Sequence, residues 1–184
     1  MKTILLLRHA KSDWDAAGTA DHERPLNGRG RKAAALIGRL LARIEEVPDR
    51  VLTSSALRAR ETVRLAAEAG AWRSAVEVVP EFYGGPPGTI VARVQRADDR
   101  DATLLLAGHE PNWSALASAL AGGGTLRFPT AALARIDLAI ESWRAVGPGR
   151  GRLVWFVNPR LLIAAGLDRD PQGPAARVQR KRKS

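Results

Sequence analysis

The chain has 184 residues, 45% of them apolar and 26% charged, with no cysteine. That length suits one domain with a sizeable core, and the lack of thiols excludes a disulfide framework, a thiolate metal site and a cysteine nucleophile. A formal charge of +10 points to anionic partners: phosphate esters, phosphoproteins or nucleic acid.

Short apolar runs alternate with amphipathic stretches, which predicts an α/β domain. Residues 3–7 form a continuous apolar run and read as a buried, central strand. The run is too short for a secretory h-region, and no other segment has the length to cross a bilayer, so a cytoplasmic location is expected. Asn27 and Gly28 open a helix whose Ala33, Leu36, Ile37, Leu40, Leu41 and Ile44 follow the i, i+3, i+4, i+7 rule. Residues 50–53 are a second strand. Ser54 reads as the N-cap of a helix to about Ala69, with Gly70 as its stop.

Residues 76–79 are a third strand, closed by Pro80, and a turn over 84–88 leads into a helix from Thr89 to about Ala97. Residues 103–107 are a fourth strand. Pro111 sits where a first-turn proline belongs, opening a helix to about Leu120 that Gly122 to Gly124 break. Residues 132–140 and 152–157 alternate as half-buried strands do, with 147–151 as the turn between them. No repeat or linker divides residues 1–170, which are read as one domain. Residues 171–184 are a basic tail, in which Arg177, Arg180, Lys181, Arg182 and Lys183 hold half of the net charge without an acid. The tail reads as a solvated, disordered terminus in preference to a nucleic-acid contact.

In an open α/β sheet the ligand site lies at the carboxyl ends of the strands. The first strand delivers Arg8 and His9 there; the second delivers Ser54, Ser55 and, in the following turn, Arg58; the fourth delivers Gly108, His109 and Glu110. Two guanidinium forks match phosphate oxygens. A histidine with an ordinary pKa of roughly 6.5 keeps a nitrogen free to attack at neutral pH. A second histidine donates to a phosphoryl oxygen or protonates a leaving group. This conjunction predicts a phosphoryl-transfer site with a covalent option and neither metal nor other cofactor.

The same residues carry a resemblance. Leu5-Leu6-Leu7-Arg8-His9-Ala10-Lys11-Ser12 resembles the Arg-His-Gly/Ala signature of the histidine phosphatase superfamily, also called phosphoglycerate mutase-like. Arg24-Pro25-Leu26-Asn27 with Gly30, and Thr53-Ser54-Ser55-Ala56-Leu57-Arg58-Ala59-Arg60-Glu61-Thr62, resemble its next two blocks. Gly108-His109-Glu110-Pro111-Asn112 and Phe128-Pro129-Thr130-Ala131-Ala132 resemble two later ones, in order. Within the superfamily the chain is similar to the short SixA-type phosphohistidine phosphatases. The resemblance implies a three-layer α/β/α sandwich with a mostly parallel central sheet. It also implies His9 as the nucleophile that becomes phosphorylated, with Arg8, Arg58 and His109 binding the phosphoryl group. Longer relatives carry a lid and an acid after the third strand. Here that segment is only Pro80-Glu81-Phe82-Tyr83-Gly84-Gly85-Pro86. Glu81 stands where that acid belongs, and equally fits a surface carboxylate or a partner for a pocket arginine.

A short, open rim admits a side chain presented by another protein and grips a small metabolite poorly, which favours phosphohistidine in a protein as substrate. A small phosphate ester is the alternative. Further from the residues stands a non-catalytic, basic nucleic-acid-binding module, which lacks interleaved aromatics for stacking. His22 could join His9 and His109 in a three-histidine metal site, but Arg8 and Arg58 would set two cations against the ion. Asp13 and Asp15 read as turn residues in preference to Mg²⁺ ligands, and Trp14 as a loop anchor in preference to a pocket wall. No membrane partner is expected, and oligomeric state is not legible.

Overall fold

The computed structural model describes residues 1–14 and 19–168. Its strands are β1 (Lys2–Arg8), β2 (Arg50–Ser54), β3 (Ala75–Val79), β4 (Thr103–Gly108), β5 (Leu133–Leu138) and β6 (Gly151–Val157). Its helices are α1 (Gly28–Arg43), α2 (Leu57–Gly70), α3 (Pro87–Val94), α4 (Asn112–Leu120) and α5 (Pro159–Ala164). Successive residues of β1 point to opposite cores: Ile4 and Leu6 to one, Leu5 and Leu7 to the other. In β4, Leu104 and Leu106 part from Leu105 and Ala107 in the same way. That is why both runs are continuously apolar: each strand is covered on two faces. One core takes side chains from α3 and α4, the other from α1, α2 and α5. The result is a three-layer α/β/α sandwich.

The six strands run in the order β3-β2-β4-β1-β5-β6. The first four are parallel, and β5 and β6 are antiparallel additions at one edge. The sheet is thus mostly parallel, with its order reversing around β1 and β4. Among the described residues no helix is long and apolar enough to cross a membrane.

Several boundaries differ from the sequence expectation. Ser54 does not cap α2; Ala56 holds that position with no side-chain bond, and the Ser54 hydroxyl, two residues before it, lies 2.8 Å from His109 Nε2. The left-handed residue after α2 is Ala71, at φ 53°, and not Gly70. A Cβ on Gly70 would stand 2.4 Å from the Gly38 carbonyl of α1, so this glycine serves helix packing. Pro111 is the N-cap of α4 and not its first residue, so the helix starts one residue later than expected, at Asn112. The helix expected from Thr89 begins at Pro87 and ends at Val94. Between β5 and β6 lies a long loop in place of a tight turn, because it carries Trp143 into the core, with Nε1 donating to the Asp101 carbonyl at 2.8 Å. Helix α5 was not foreseen: six residues give too little periodicity to read. The basic tail lies outside the described residues, as does Asp15.

Candidate active site

Strands β1, β4 and β2 end side by side, with Arg8 paired to Gly108 and Thr53 to Ala107. The next residues, His9, His109 and the first turn of α2 with Arg58, therefore share one edge. Arg8, His9, Arg58 and His109 line a cavity of about 250 Å³ together with Lys11, Ser12, Trp14, Arg24, Glu110 and Thr130. The two imidazole rings lie 4.9 Å apart, tilted by 50°.

The backbone of His9 is held on both sides. Its amide donates to the Gly108 carbonyl at 2.9 Å, and its carbonyl accepts from the Ala131 amide at 3.1 Å. Its Nδ1 is 2.7 Å from the Ala10 carbonyl. A carbonyl only accepts, so Nδ1 carries the proton and Nε2 keeps a lone pair. Burial, then His109, push the pKa of His9 down to about 3. The imidazole is neutral at physiological pH.

His109 Nε2 lies 2.8 Å from Ser54 Oγ, which also accepts from the Ala56 amide at 3.3 Å. Burial, then Arg58, push this histidine's pKa down to about 4. Arg8 Nη1 donates to the Phe128 carbonyl at 2.6 Å. Burial lowers the Arg8 pKa while Glu110 opposes the shift. Glu110 also fixes that contact: its Oε1 accepts from the Phe128 amide at 2.7 Å and from Ser114 Oγ at 2.5 Å. Arg8 Nε and His109 Nδ1 are buried with no partner among the described residues. Orphaned polar atoms of this kind are rare in folded proteins and ask for a ligand or water.

Arg58, 6% exposed, donates through Nη1 to the Asp21 carbonyl at 2.5 Å and through Nη2 to Asp21 Oδ2 at 3.0 Å. Tyr83 Oη donates to the same Oδ2 at 2.8 Å. Tyr83, then Arg58 and Arg24, hold the Asp21 carboxyl below the ordinary carboxylate range against the effect of burial.

A sequence profile of the histidine phosphatase superfamily (branch 1) matches residues 4–83. The phosphohistidine phosphatase SixA of Escherichia coli is 30% identical over 159 residues, which span 85% of this chain and 93% of that protein. The chain belongs to the histidine phosphatase superfamily. An uncharacterized relative, Rv1276c of Mycobacterium tuberculosis, is 40% identical over 164 residues, 84% of this chain and all of that one. The solved structure of the protein histidine phosphatase SixA complexed with tungstate aligns with a TM-score of 0.76 at 28% identity, covering 87% of this chain and 99% of that one.

In this histidine phosphatase the fold brings Arg8, His9, Arg58 and His109 together and leaves Glu81 aside, as well as His22, which the sequence already disfavours. Glu81 is exposed on the short 3-10 turn Pro80–Tyr83 and does not line the cavity. The carboxylate on the cavity wall is Glu110. His22 does not line the cavity: Nε2 is 2.9 Å from Ser55 Oγ and Nδ1 is 2.6 Å from Glu23 Oε1. Trp14, expected as a loop anchor, lines the cavity at 70% exposure, with the Arg24 guanidinium 3.7 Å above its ring. Asp13, expected in a turn, instead follows a bridge between Ser12 and Leu26, its amide donating to the Pro25 carbonyl at 2.9 Å. Asp21 and Tyr83 escaped the sequence reading, because they meet Arg58 only through loops distant along the chain.

Proposed function

We propose that the chain is a metal-independent phosphatase that removes the phosphoryl group from phosphohistidine in a partner protein, through a phosphohistidine intermediate on His9. The observation that carries the reading is the His9 Nδ1–Ala10 carbonyl bond, which leaves Nε2 as a free lone pair inside a cationic cavity. The unpartnered Arg8 Nε and His109 Nδ1 support it, because a bound oxyanion would satisfy both. Tungstate, a tetrahedral oxyanion, is present in the SixA structure with which the chain aligns.

In the first step Nε2 of His9 attacks phosphorus in line. The N–P bond to His9 forms as the N–P bond to the substrate imidazole breaks, and the departing imidazole takes the electron pair and a solvent proton. Arg8, Arg58 and His109 hold the equatorial oxygens, where charge spreads in the transition state. In the second step water attacks phosphorus as the His9 Nε2–P bond breaks; the electron pair returns to Nε2, the water's proton goes to solvent, and phosphate departs from neutral His9. An imidazole is a better leaving group than an alkoxide, so no step is routed through Glu81. The cavity of about 250 Å³ is small for a metabolite and sufficient for a phosphoryl group. That size favours a substrate whose bulk stays outside over a small phosphate ester held whole. Two guanidiniums beside the histidines also disfavour a bound cation.

The test is phosphate release from a phosphohistidine-bearing domain, beside an aryl phosphate, with EDTA present and His9→Ala as control. Release that survives EDTA, vanishes with His9→Ala and is faster for the domain is expected. Faster turnover of small esters would move the substrate to that class, and full activity of His9→Ala would overturn the scheme.

A further inference from the structure

Beside the catalytic cavity runs a second and larger depression, of about 830 Å³, between α1, α5 and the segment at Pro129 and Thr130. The two share Lys11 and Thr130 on their walls, so they adjoin. Its rim carries Arg29, Lys32 and Arg39 from α1, Arg160 from α5, and Lys11 at the junction. Its floor includes apolar Leu36 and Ile163, the latter 52% exposed.

Several arginines outside the groove are matched with carboxylates, among them Arg50 with Asp101, Arg58 with Asp21, Arg93 with Glu77 and Arg135 with Glu46. Among the described residues, none of the five groove cations has an ion-pair partner. The first turn of α1 also contains no acid, and instead Arg29, Arg31 and Lys32 face the positive end of the helix dipole. That arrangement strengthens the attraction for an anion. Asp168, at the groove's edge, is the one acid among its described lining residues.

From this we infer that the groove is the docking surface for the substrate protein, and that it takes an acidic segment with interspersed apolar residues lying next to the phosphorylated side chain. The inference rests on the phosphohistidine reading for its biological partner, but the binding it asserts is independent of catalysis. Apolar side chains of the segment cover Ile163 and Pro129, its carboxylates meet the rim, and the phosphorylated residue enters the cavity past Lys11 and Thr130. Rim charges of this kind steer association and set its salt dependence.

The test uses the full chain and a triple variant, Lys32→Glu, Arg39→Glu and Arg160→Glu, all exposed and outside the cavity. The probe is a fluorescein-labelled 15-residue peptide with Glu on one helical face and Leu on the other, followed by anisotropy. Binding that weakens at least tenfold in the variant and falls with salt is expected. In parallel, the KM for a phosphohistidine-bearing domain rises at least fivefold in the variant, while kcat/KM for an aryl phosphate stays within twofold. Absence of peptide binding, or equal binding by wild type and variant, overturns the inference. So does tighter, variant-sensitive binding of a mixed-sequence single-stranded oligonucleotide, which makes the groove a nucleic-acid surface. Should neither phosphorylated substrate turn over while the peptide still distinguishes the two proteins, the phosphatase reading fails and the docking surface stands.

Discussion

The Ala10 amide donates to Thr62 Oγ1 at 2.9 Å. Thr62 in turn donates to the Arg58 carbonyl at 2.6 Å, and the Ala10 carbonyl accepts from His9 Nδ1 at 2.7 Å. One fully buried hydroxyl thus links the residue that orients His9 to the helix that carries Arg58. Thr62→Val keeps the volume and leaves the Ala10 amide and its surroundings without that partner. A loss of about 1–3 kcal/mol in denaturant unfolding is expected, with a fall in kcat that Thr62→Ser largely restores. A stable, fully active Thr62→Val protein would contradict this linkage.

Both histidines of the cavity are held neutral, and the consequence for stability has a definite sign. Their folded pKa values, about 3 for His9 and about 4 for His109, lie below the ordinary 6.5 of an unfolded chain. As pH falls through 6.5, the unfolded chain takes up protons that the folded state refuses, so stability declines down toward pH 4. Denaturant unfolding at steps from pH 7 downward checks this, and His109→Asn should flatten the decline. In the free enzyme neither ring titrates between about pH 5 and 8 by NMR; a midpoint near 6.5 for His9 would contradict the burial argument.

How much of this was legible in the sequence follows from what each feature depends on. Arg8, His9 and His109 were readable because each follows a continuously apolar run, and parallel strands buried on two faces deliver such residues to one edge. Arg58 was placed by the same logic, in the first turn of α2. The partners were not readable. Ser54 looks like a helix cap in isolation, and only the position of β4 hands its hydroxyl to His109. Asp21 and Tyr83 lie 37 and 62 residues apart from their bonding partners along the chain, in loops without periodicity. Glu81 was singled out by its place after β3, yet the 3-10 turn there buries Phe82 and leaves the carboxylate outside.

Asp21 places a negative charge beside Arg58 at the edge of an anion site. Asp21→Asn removes that charge while the backbone carbonyl of residue 21 continues to accept from Nη1. Because the side chain is 52% exposed, its repulsion is screened, and inhibition by orthovanadate should tighten by only about two- to fivefold. Weaker inhibition would show that the carboxylate's orientation of Arg58 outweighs its charge.

Gly108 has no room for a side chain: a Cβ there would stand 2.2 Å from the Trp113 ring. Trp113 is fully buried, so it cannot yield. Gly108→Ala should cost about 1–3 kcal/mol in unfolding free energy and displace His109 next to it. Thermal and denaturant unfolding, with kcat on an aryl phosphate, measure the two effects separately.

Glu81→Gln should leave turnover of phosphohistidine within twofold, since the side chain lies outside the cavity and the imidazole leaving group needs no acid. A large loss on that substrate would bring Glu81 into the chemistry through a movement of its turn.

The central claim is that His9 Nε2 bonds to phosphorus. Rapid-quench mass spectrometry of the full chain mixed with a phosphohistidine-bearing domain tests it most directly. The account predicts a transient 1:1 phosphoenzyme whose phosphoryl group maps to His9, forming faster than phosphate is released, and absent in His9→Ala. Phosphate release with no phosphoenzyme at any time, or label on another residue, would contradict it.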